Sequence, residues 1–213
     1  MTGLRRQPPT PKGLLLDPGG LVIVGEIEHP PEGREWLNEI KIDGWRLPLL
    51  TDGAGGLRLQ SRKATDRTWD FQSPVRALAD CGHAMIIDGE IAVPDDMGVT
   101  RLPALHAAMR EREPDRLVYY AFDLLHLDGK DLREQPIEKR KAKLLQLLDT
   151  LVRRLDLPRV QMVDGVVGHG PELFERAGRM GCEGVVSKRL GSFYRGSDKP
   201  SPDWVKSVFE KRV

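Results

Sequence analysis

The stretch Glu39-Ile40-Lys41-Ile42-Asp43-Gly44-Trp45-Arg46 decides the fold of this chain. Apolar and charged residues alternate over residues 39–43, which is the period of a β-strand, and Asp43-Gly44 is a strong turn pair. The alternation predicts that both isoleucines face the core and that Lys41 points the other way with the two carboxylates. A lysine in such surroundings is a candidate nucleophile, because burial or a nearby cation favours the neutral amine. A solvated hairpin with alternating charges is the alternative, and the stretch alone favours it.

Four further motifs follow this stretch in order. They are Asp88-Gly89-Glu90, Phe122-Asp123-Leu124-Leu125, Glu183-Gly184-Val185-Val186-Ser187-Lys188 and Trp204-Val205-Lys206. Together with the Lys41 stretch, this ordered set resembles the covalent nucleotidyltransferases, and most closely the ATP-dependent DNA ligases. Residues 36–46 and 117–129 resemble the adenylation domain of bacterial end-joining ligases, and the resemblance extends over roughly residues 20–210.

The pattern of apolar residues predicts an α+β fold. Turn residues and short apolar runs predict strands at residues 21–27, 47–50, 57–60, 85–93, 117–127, 184–188 and 204–209. Helical spacing and proline positions predict helices at residues 73–79, 102–112, 137–151 and 171–180, with Glu138-Lys139-Arg140-Lys141 as a solvated helix start. Helices are inserted between hairpins, so we expect largely antiparallel sheets. The resemblance implies two such sheets around a nucleotide cleft with flanking helices, the DNA ligase/mRNA capping nucleotidyltransferase fold.

Composition argues against a membrane protein and against a strongly basic nucleic-acid-binding domain. The 213 residues include 33 Lys+Arg and 32 Asp+Glu, a net charge of +1. No apolar run approaches membrane-spanning length, and no signal-peptide segment follows Arg5 and Arg6. Cys81 and Cys182 are far apart and in no metal-ligand spacing, so we interpret them as reduced thiols. We therefore expect a cytoplasmic protein that contacts no membrane. The resemblance implies that it is bacterial and associated with the nucleoid.

The chain is predicted to contain one domain and an arm. Residues 1–20 are rich in Pro, Gly, Arg and Thr, which predicts a flexible N-terminal arm, and residues 21–213 form the adenylation domain. Ligases of the family continue into a C-terminal OB-fold domain, and we expect none here, since the last motif lies close to Val213. Without that domain, we expect slow self-adenylation and weak, salt-sensitive DNA binding.

The resemblance also implies the reaction. Lys41 would attack the α-phosphate of ATP, giving lysyl-AMP and pyrophosphate; the AMP would pass to a 5′-phosphate at a nick, and a 3′-hydroxyl would displace it. The implied cofactors are ATP and Mg²⁺ or Mn²⁺, with Glu183 as the metal-binding carboxylate, since hard oxygen ligands suit Mg²⁺. The implied partner is nicked or broken double-stranded DNA, with an end-joining protein or a separate domain supplied in trans.

Seven residues match positions that bind the nucleotide in this family: Glu39, Arg46, Arg62, Glu90, Phe122, Lys188 and Lys206. The resemblance puts Phe122 on the adenine ring, Glu39 against base and ribose, Glu90 on the ribose, and Lys206 at the α-phosphate. It also implies that Arg46 contacts the nucleotide and that Arg62 approaches the phosphate or ribose. Ordinary structural roles are the alternative; a phenylalanine in an apolar strand is by default a core residue.

Three departures from the family pattern stand out. Val208 occupies the position of the second lysine in the usual Trp-x-Lys-x-Lys motif. Residues 21–25 replace a Pro-Met-Leu-type segment, and Lys63-Ala64 follows Arg62 where the family usually has Asn-Gly. The altered last motif and the short C-terminus favour a second hypothesis, a degenerate, non-catalytic module that binds ATP or AMP or docks on a partner. The first hypothesis, catalysis, is favoured by the retention of Lys41, Arg46, Glu90, Glu183 and Lys206. RNA ligation or RNA capping is a third hypothesis, against which the end-joining-like stretch at residues 119–126 argues.

Overall fold

The computed structural model describes residues 8–13, 16 and 20–210. Its strands are β1 (Ile23–Glu26), β2 (Trp36–Ile40), β3 (Trp45–Arg46), β4 (Leu49–Asp52), β5 (Leu57–Leu59), β6 (Ala84–Ala92), β7 (Val118–Leu127), β8 (Lys130–Asp131), β9 (Val160–Met162), β10 (Gly165–Val167), β11 (Gly184–Arg189) and β12 (Pro200–Val208). Its α-helices are α1 (Thr68–Phe71), α2 (Leu102–Glu111), α3 (Ile137–Leu155) and α4 (Gly170–Met180), and 3-10 helices span Arg76–Asp80 and Pro114–Arg116. In this described part, no helix combines the length and apolarity needed to cross a membrane.

The strands form two sheets. The first sheet has the order β1-β12-β11-β2-β10. The second has the order β5-β4-β6-β7-β8, with β3 paired to β6 and β9 paired to β7. Neighbouring strands are antiparallel except for β1 with β12 and β7 with β9. The predicted α+β class with largely antiparallel sheets is confirmed.

The largest core lies between the second sheet and the helices on its outer face. Leu144 and Leu151 of α3, Leu105 of α2 and Phe71 of α1 are all fully buried there, against strand residues such as Ile87. The apolar stripe of α3 recurs at helical spacing, so one face of this long helix covers β7. This packing leaves the opposite face of the second sheet turned toward the first sheet.

A smaller apolar cluster joins the two sheets. Leu50, Ile86 and Leu125 of the second sheet pack with Val22 and with Trp204 of β12, whose indole is only 1% exposed. The other face of the first sheet is covered by α4, which packs on β2 and β11. The first sheet therefore has one face against a helix and one face along the cleft between the sheets.

The strand that precedes Lys41 differs from the prediction in its orientation. Glu39, expected to point away from the core, is only 2% exposed, whereas Ile40 and Ile42 are half-buried. β2 ends at Ile40, its residues 36–39 are buried on both faces, and residues 41–43 are not in a strand, so the predicted alternation over residues 39–43 is not observed. The face that carries Glu39 is closed off because Glu39 contacts Lys141 of α3 and Lys188. Alternation along a strand gives the spacing of its two faces and not which of them becomes buried.

Two helix predictions are also corrected. Residues 73–79 contain no α-helix; a 3-10 helix spans Arg76–Asp80 instead. Arg140 and Lys141, expected at a solvated helix start, are 0% and 7% exposed, because each reaches a carboxylate on a strand distant in sequence. The other three predicted helices and the predicted strands are present, with shifted ends.

The predicted N-terminal arm falls partly outside the described residues, which omit 1–7, 14, 15 and 17–19. In the part that is described, the Pro9 carbonyl accepts a hydrogen bond from the Leu57 N–H (2.9 Å). The Leu16 carbonyl accepts one from the Gln60 side chain, and the Leu16 side chain packs in the cluster between the sheets. These residues contact the second sheet, and the division into an arm and a domain stays a prediction.

Candidate active site

Lys41 directly follows β2, at the turn that leads to the second sheet. Its backbone N–H donates to the carbonyl of Gly184 on β11 (2.9 Å). In the turn, the Asp43 carboxylate accepts a hydrogen bond from the first backbone N–H of α2 (3.0 Å). A Cβ on Gly44 would lie 2.1 Å from the Ile91 carbonyl oxygen, so glycine lets the turn lie directly on β6. Lys41 is therefore held where the two sheets meet.

The Lys41 ammonium group forms an ion pair with Glu183, the residue before β11. The distance between Nζ and Oε2 is 2.6 Å, and the two side chains are 20% and 24% exposed. The pair is thus largely shielded from solvent, but part of each side chain remains exposed. An amine beside a hydrogen-bonding carboxylate is an arrangement suited to a nucleophile that must lose a proton before it attacks.

Glu39 lies between two lysines at the floor of the cleft. One carboxylate oxygen is 2.6 Å from Lys188 Nζ, and the other accepts a short hydrogen bond from Lys141. Lys188 is 1% exposed and lies over the rings of Phe122 (4.7 Å) and Trp204 (4.2 Å). Burial lowers the pKa of Lys188, although Glu39 opposes this effect. Lys188 therefore lies beneath the cleft surface, in contact with Glu39 and the two aromatic rings.

Arg46 is held by four hydrogen bonds on the facing sheet. Its Nε and Nη2 donate to the two carboxylate oxygens of Asp88 (3.0 and 2.5 Å), Nη1 donates to the Val22 carbonyl (2.7 Å), and Nη2 also donates to the Tyr194 hydroxyl (3.2 Å). Burial opposes its charge, but Asp88 and the other partners outweigh burial and raise the pKa of Arg46. The guanidinium lies 5.6 Å from the centre of the Phe122 ring, so a fixed cation lines the cleft beside that ring.

Glu90 lies opposite Arg46 in the pairing of β3 with β6. Its carboxylate accepts a hydrogen bond from the Gly44 N–H (2.9 Å), beside the turn that carries Lys41. Burial raises the pKa of Glu90 to about 7, with a further contribution from Glu183, while Lys41 and Arg46 act in the opposite direction. A carboxyl with this pKa changes its charge near neutral pH, at the point where Lys41 enters the cleft.

Lys206 on β12 is paired with Val186 on β11, which is paired with Glu39 on β2, so the three residues form a row across the first sheet. Its Nζ is 2.9 Å from Glu26 of β1, in a pair with side chains 30% and 63% exposed. Two residues further on, Val208 is paired with Gly184, beside the Lys41–Glu183 pair. The position that carries a lysine in the family pattern is thus next to Lys41 and is occupied here by an apolar side chain.

The structure brings together eight of the nine predicted site residues: Lys41 with Glu183, Glu39 with Lys188 and Phe122, Arg46 with Glu90 and Phe122, and Lys206 on the same face of the first sheet as Glu39. Arg62 is the exception. It is exposed, on the turn between β5 and α1, and none of its contacts reaches these residues in the described part of the chain.

Sequence reasoning missed three residues that hold the predicted ones in place. Lys141 binds Glu39, and Tyr194 and Asp88 bind Arg46 and each other, with 2.6 Å between the Tyr194 hydroxyl and Asp88 Oδ2. Asp88 was visible in the motif Asp88-Gly89-Glu90, and an acidic residue in an apolar strand is a signal of a buried partner. Lys141 and Tyr194 carried no such local signal.

Comparison with known proteins agrees with this geometry. Residues 25–207 match the family model described as the ATP dependent DNA ligase domain. The multifunctional non-homologous end joining protein LigD of Pseudomonas aeruginosa is 35% identical over 181 residues, which cover 84% of this chain and 21% of that protein. The SPbeta prophage-derived DNA ligase-like protein LigB of Bacillus subtilis is 28% identical over 188 residues, covering 88% of this chain and 66% of that protein. The chain thus spans about a fifth of the length of the LigD relative.

Solved structures give the same result for the fold. The ligase domain of LigD from M. tuberculosis superposes with a TM-score of 0.69 at 30% identity, covering 90% of this chain and 60% of that one. Mycobacterial DNA ligase D complexed with ATP and MES gives the same TM-score and identity, covering 90% of this chain and 61% of that one. Both the resemblance and the fold predicted from the motifs are confirmed. The chain belongs to the ATP-dependent DNA ligase domain family.

Proposed function

We propose that this chain is the adenylating catalytic core of an ATP-dependent DNA ligase, with Lys41 as the residue that becomes covalently linked to AMP. The observation that carries the proposal is the shielded Lys41–Glu183 pair, with 2.6 Å between Nζ and Oε2, between two sheets of a ligase-family domain. A relative of known structure, mycobacterial DNA ligase D, is complexed with ATP, which supports ATP as the nucleotide.

The first step would join Lys41 Nζ to the α-phosphorus of ATP and break the bond to pyrophosphate. Attack requires the neutral amine, so Nζ must first lose a proton, and a Glu183 oxygen lies within hydrogen-bond distance of it. Lys206, 30% exposed, is the cation that we propose for the α-phosphate once its pairing with Glu26 is broken. The AMP would then pass to a 5′-phosphate, and a 3′-hydroxyl would displace it.

The remaining cleft residues would hold the nucleotide. Phe122 is half-buried beside the apolar side chains of Ile42, Val118 and Tyr120, which offers a flat surface for the adenine ring. Glu39 and Glu90 would lie beside the base and the ribose, and Arg46 would contact the nucleotide with its hydrogen-bonded guanidinium. Lys188 would act through Glu39 and Phe122, which its ammonium group contacts. The role of Arg62 stays a prediction.

Glu183 is the residue that we propose for Mg²⁺ or Mn²⁺. Within residues 8–13, 16 and 20–210, no group of three or more His, Cys, Asp and Glu side chains is arranged to hold a metal ion. A single carboxylate fits an ion that takes its other oxygens from phosphate and water, as Mg²⁺ commonly does. When bound, such an ion would stabilise negative charge on the phosphate oxygens.

The names of the relatives support a role in end joining. We propose nicked or broken double-stranded DNA as the substrate, with an end-joining protein or a separate domain supplied in trans as the partner. A protein with this substrate would associate with the bacterial nucleoid in the cytoplasm. The proposal predicts sealing of a nicked DNA duplex rather than a nicked RNA duplex.

One observation favours a second function. Val208 supplies no charge beside Lys41 and Glu183, where the family pattern has a lysine. Losing one cation that stabilises transition-state charge costs about two to three orders of magnitude in rate. The second candidate is therefore a module that binds ATP or AMP without catalysis.

One experiment separates the two functions. The protein is incubated with α-labelled ATP and Mg²⁺, and its intact mass is measured beside Lys41→Ala and, as an exposed control, Lys63→Ala. Catalysis predicts an AMP adduct in the native protein and in Lys63→Ala, absent from Lys41→Ala. A folded, AMP-free protein that binds ATP but forms no adduct supports the binding module instead. GTP in place of ATP, followed by nicked DNA and RNA duplexes, tests the nucleotide and the substrate.

A further inference from the structure

We propose that Lys141 is a positioning residue that sets how the cleft accepts the nucleotide base, by fixing Glu39 relative to Phe122. The inference rests on the proposed function, in which these two residues contact the base. Lys141 lies on α3, outside all five motifs, and is only 7% exposed. A buried lysine needs partners for its charge, so its contacts show what it holds.

All three N–H groups of the Lys141 ammonium have an acceptor. Nζ donates to the second carboxylate oxygen of Glu39, to the Val163 carbonyl at 2.9 Å, and to the Phe122 carbonyl at 3.5 Å. An ammonium group offers three donors and no acceptor, so this environment satisfies it. The contact with Phe122 is the longest, and the contact with Glu39 is the charged one.

These acceptors come from different parts of the fold. Glu39 belongs to β2 of the first sheet, Phe122 belongs to β7 of the second, and Val163 follows β9. Lys188 of the first sheet repeats two of the contacts, with Glu39 at 2.6 Å and with the Phe122 carbonyl at 3.4 Å. Lys141 adds the link to Val163 and to α3, so the spacing across the cleft floor depends on it.

The contacts point to the base rather than to the phosphates. Val163 and Phe122, whose carbonyls bind Lys141, both belong to the small apolar cluster with Val118 and Tyr120. That cluster is the surface that we propose for the adenine ring. Without the Lys141 cation, this surface and the Glu39 carboxylate keep only Lys188 as a common support, while the Lys41–Glu183 pair keeps its own contacts.

The test measures binding of ATP, GTP and inorganic tripolyphosphate by calorimetry on the full chain. Lys141→Met removes the charge and all donors, and Lys141→Gln removes the charge but keeps amide donors for the carbonyl oxygens. Lys139→Met, exposed on the same helix, is the matched control. We expect the Kd for ATP to rise about tenfold in both Lys141 variants, the lower end of the cost of losing a group behind a binding residue. The ratio of the Kd for GTP to the Kd for ATP should fall in the same variants, and the Kd for tripolyphosphate should not change.

A double-mutant cycle adds a readout that a general loss of stability would not move. Glu39→Gln should weaken ATP binding less in Lys141→Met than in the native background, because both changes disrupt the contact between Lys141 and Glu39. The remaining effect in Lys141→Met comes from the Glu39–Lys188 pair, which only Glu39→Gln disrupts. Provided that the native protein binds ATP, either of two results would overturn the inference. One is additive effects in the cycle, and the other is an unchanged preference for ATP over GTP in Lys141→Gln. If the native protein fails to bind ATP, the proposed function itself is wrong, and this inference with it. Lys141→Gln decides the matter should Lys141→Met not fold.

Discussion

Replacing Arg140 by methionine tests the buried ion pair that holds the start of α3 against β7. The side chains of Arg140 and Asp123 have no exposed surface. Arg140 donates to the two carboxylate oxygens at 2.9 and 2.8 Å, and also to the carbonyls of Gln135 and Ser192. Methionine keeps much of the apolar volume but removes all four hydrogen bonds, which leaves Asp123 buried without its cation.

The structure sets the size of the expected effect. Removing one partner of a buried ion pair costs about 3–5 kcal/mol of unfolding free energy. Burial already raises the pKa of Asp123 against the opposing effect of Arg140. In the variant the carboxyl can therefore take up a proton, which favours the lower end of that range. At about 2–4 °C per kcal/mol for a chain of this size, the decrease in Tm is on the order of 10 °C.

Circular dichroism during heating, and urea denaturation at neutral pH, measure this effect. The matched control is Arg153→Met in the same helix, which breaks an exposed pair with Asp149 whose side chains are 78% and 60% exposed. Exposed pairs of this spacing contribute about 0.3–0.5 kcal/mol. If the two variants lose the same amount of stability, the reasoning about the buried pair is refuted.

Three further predictions concern the cleft. Glu26→Gln frees Lys206 from its 2.9 Å pairing and should tighten ATP binding, by no more than about fivefold because such exposed pairs are weak. Burial raises the pKa of Glu90 to about 7 from 4.5, so the folded protein binds the extra proton between these values. The free energy of unfolding of the native protein, compared with that of Glu90→Gln, should therefore fall as pH rises through that window, by at most about 3 kcal/mol. Unfolding is measured with EDTA present. Gly44→Ala places a Cβ against the Ile91 carbonyl and should cost about 1–3 kcal/mol in urea denaturation.

Exposed residues supply the controls for the two glutamate substitutions. Glu28→Gln, two positions from Glu26, should leave ATP binding unchanged, and equal tightening in both variants would point to a general effect of net charge. Glu111→Gln should show no difference from the native protein across the pH window. A Glu90→Gln curve parallel to the native one would contradict the raised pKa.

Much of the fold was predictable because its signals are local. Asp43-Gly44 marked the turn that follows β2 and Lys41, and the helical spacing of leucines marked α3 within a few residues of its observed ends. The candidate site was predictable only as a set of short motifs in order. Their side chains come together because β2, β11 and β12 are neighbours in one sheet, a pairing that no local pattern reveals.

There is a physical reason why the residues that support the site could not be predicted from the sequence. A run such as Glu138-Lys139-Arg140-Lys141 looks solvated, since charged residues are seldom buried without partners. The partners of Arg140 and Lys141 are Asp123 and Glu39, which lie 17 and 102 positions away in the sequence. Whether a charge is buried depends on these distant contacts, so it becomes visible only once the sheets are assembled.

The pairing of β1 with β12 has a consequence for the order of folding. The pairings of the second sheet up to β8 join residues at most 46 positions apart, as in Trp45 with Ile91. They can form before those of the first sheet, because shorter loops cost less entropy to close. The first sheet joins Ile23 to Pro200 and Ile40 to Val185, so its strands must wait for almost the whole chain. During synthesis, β2 would emerge long before the partners that complete its sheet. The hydrogen bond from Lys41 to Gly184 would then form among the last, and the protein would acquire its nucleotide cleft only at the end of folding.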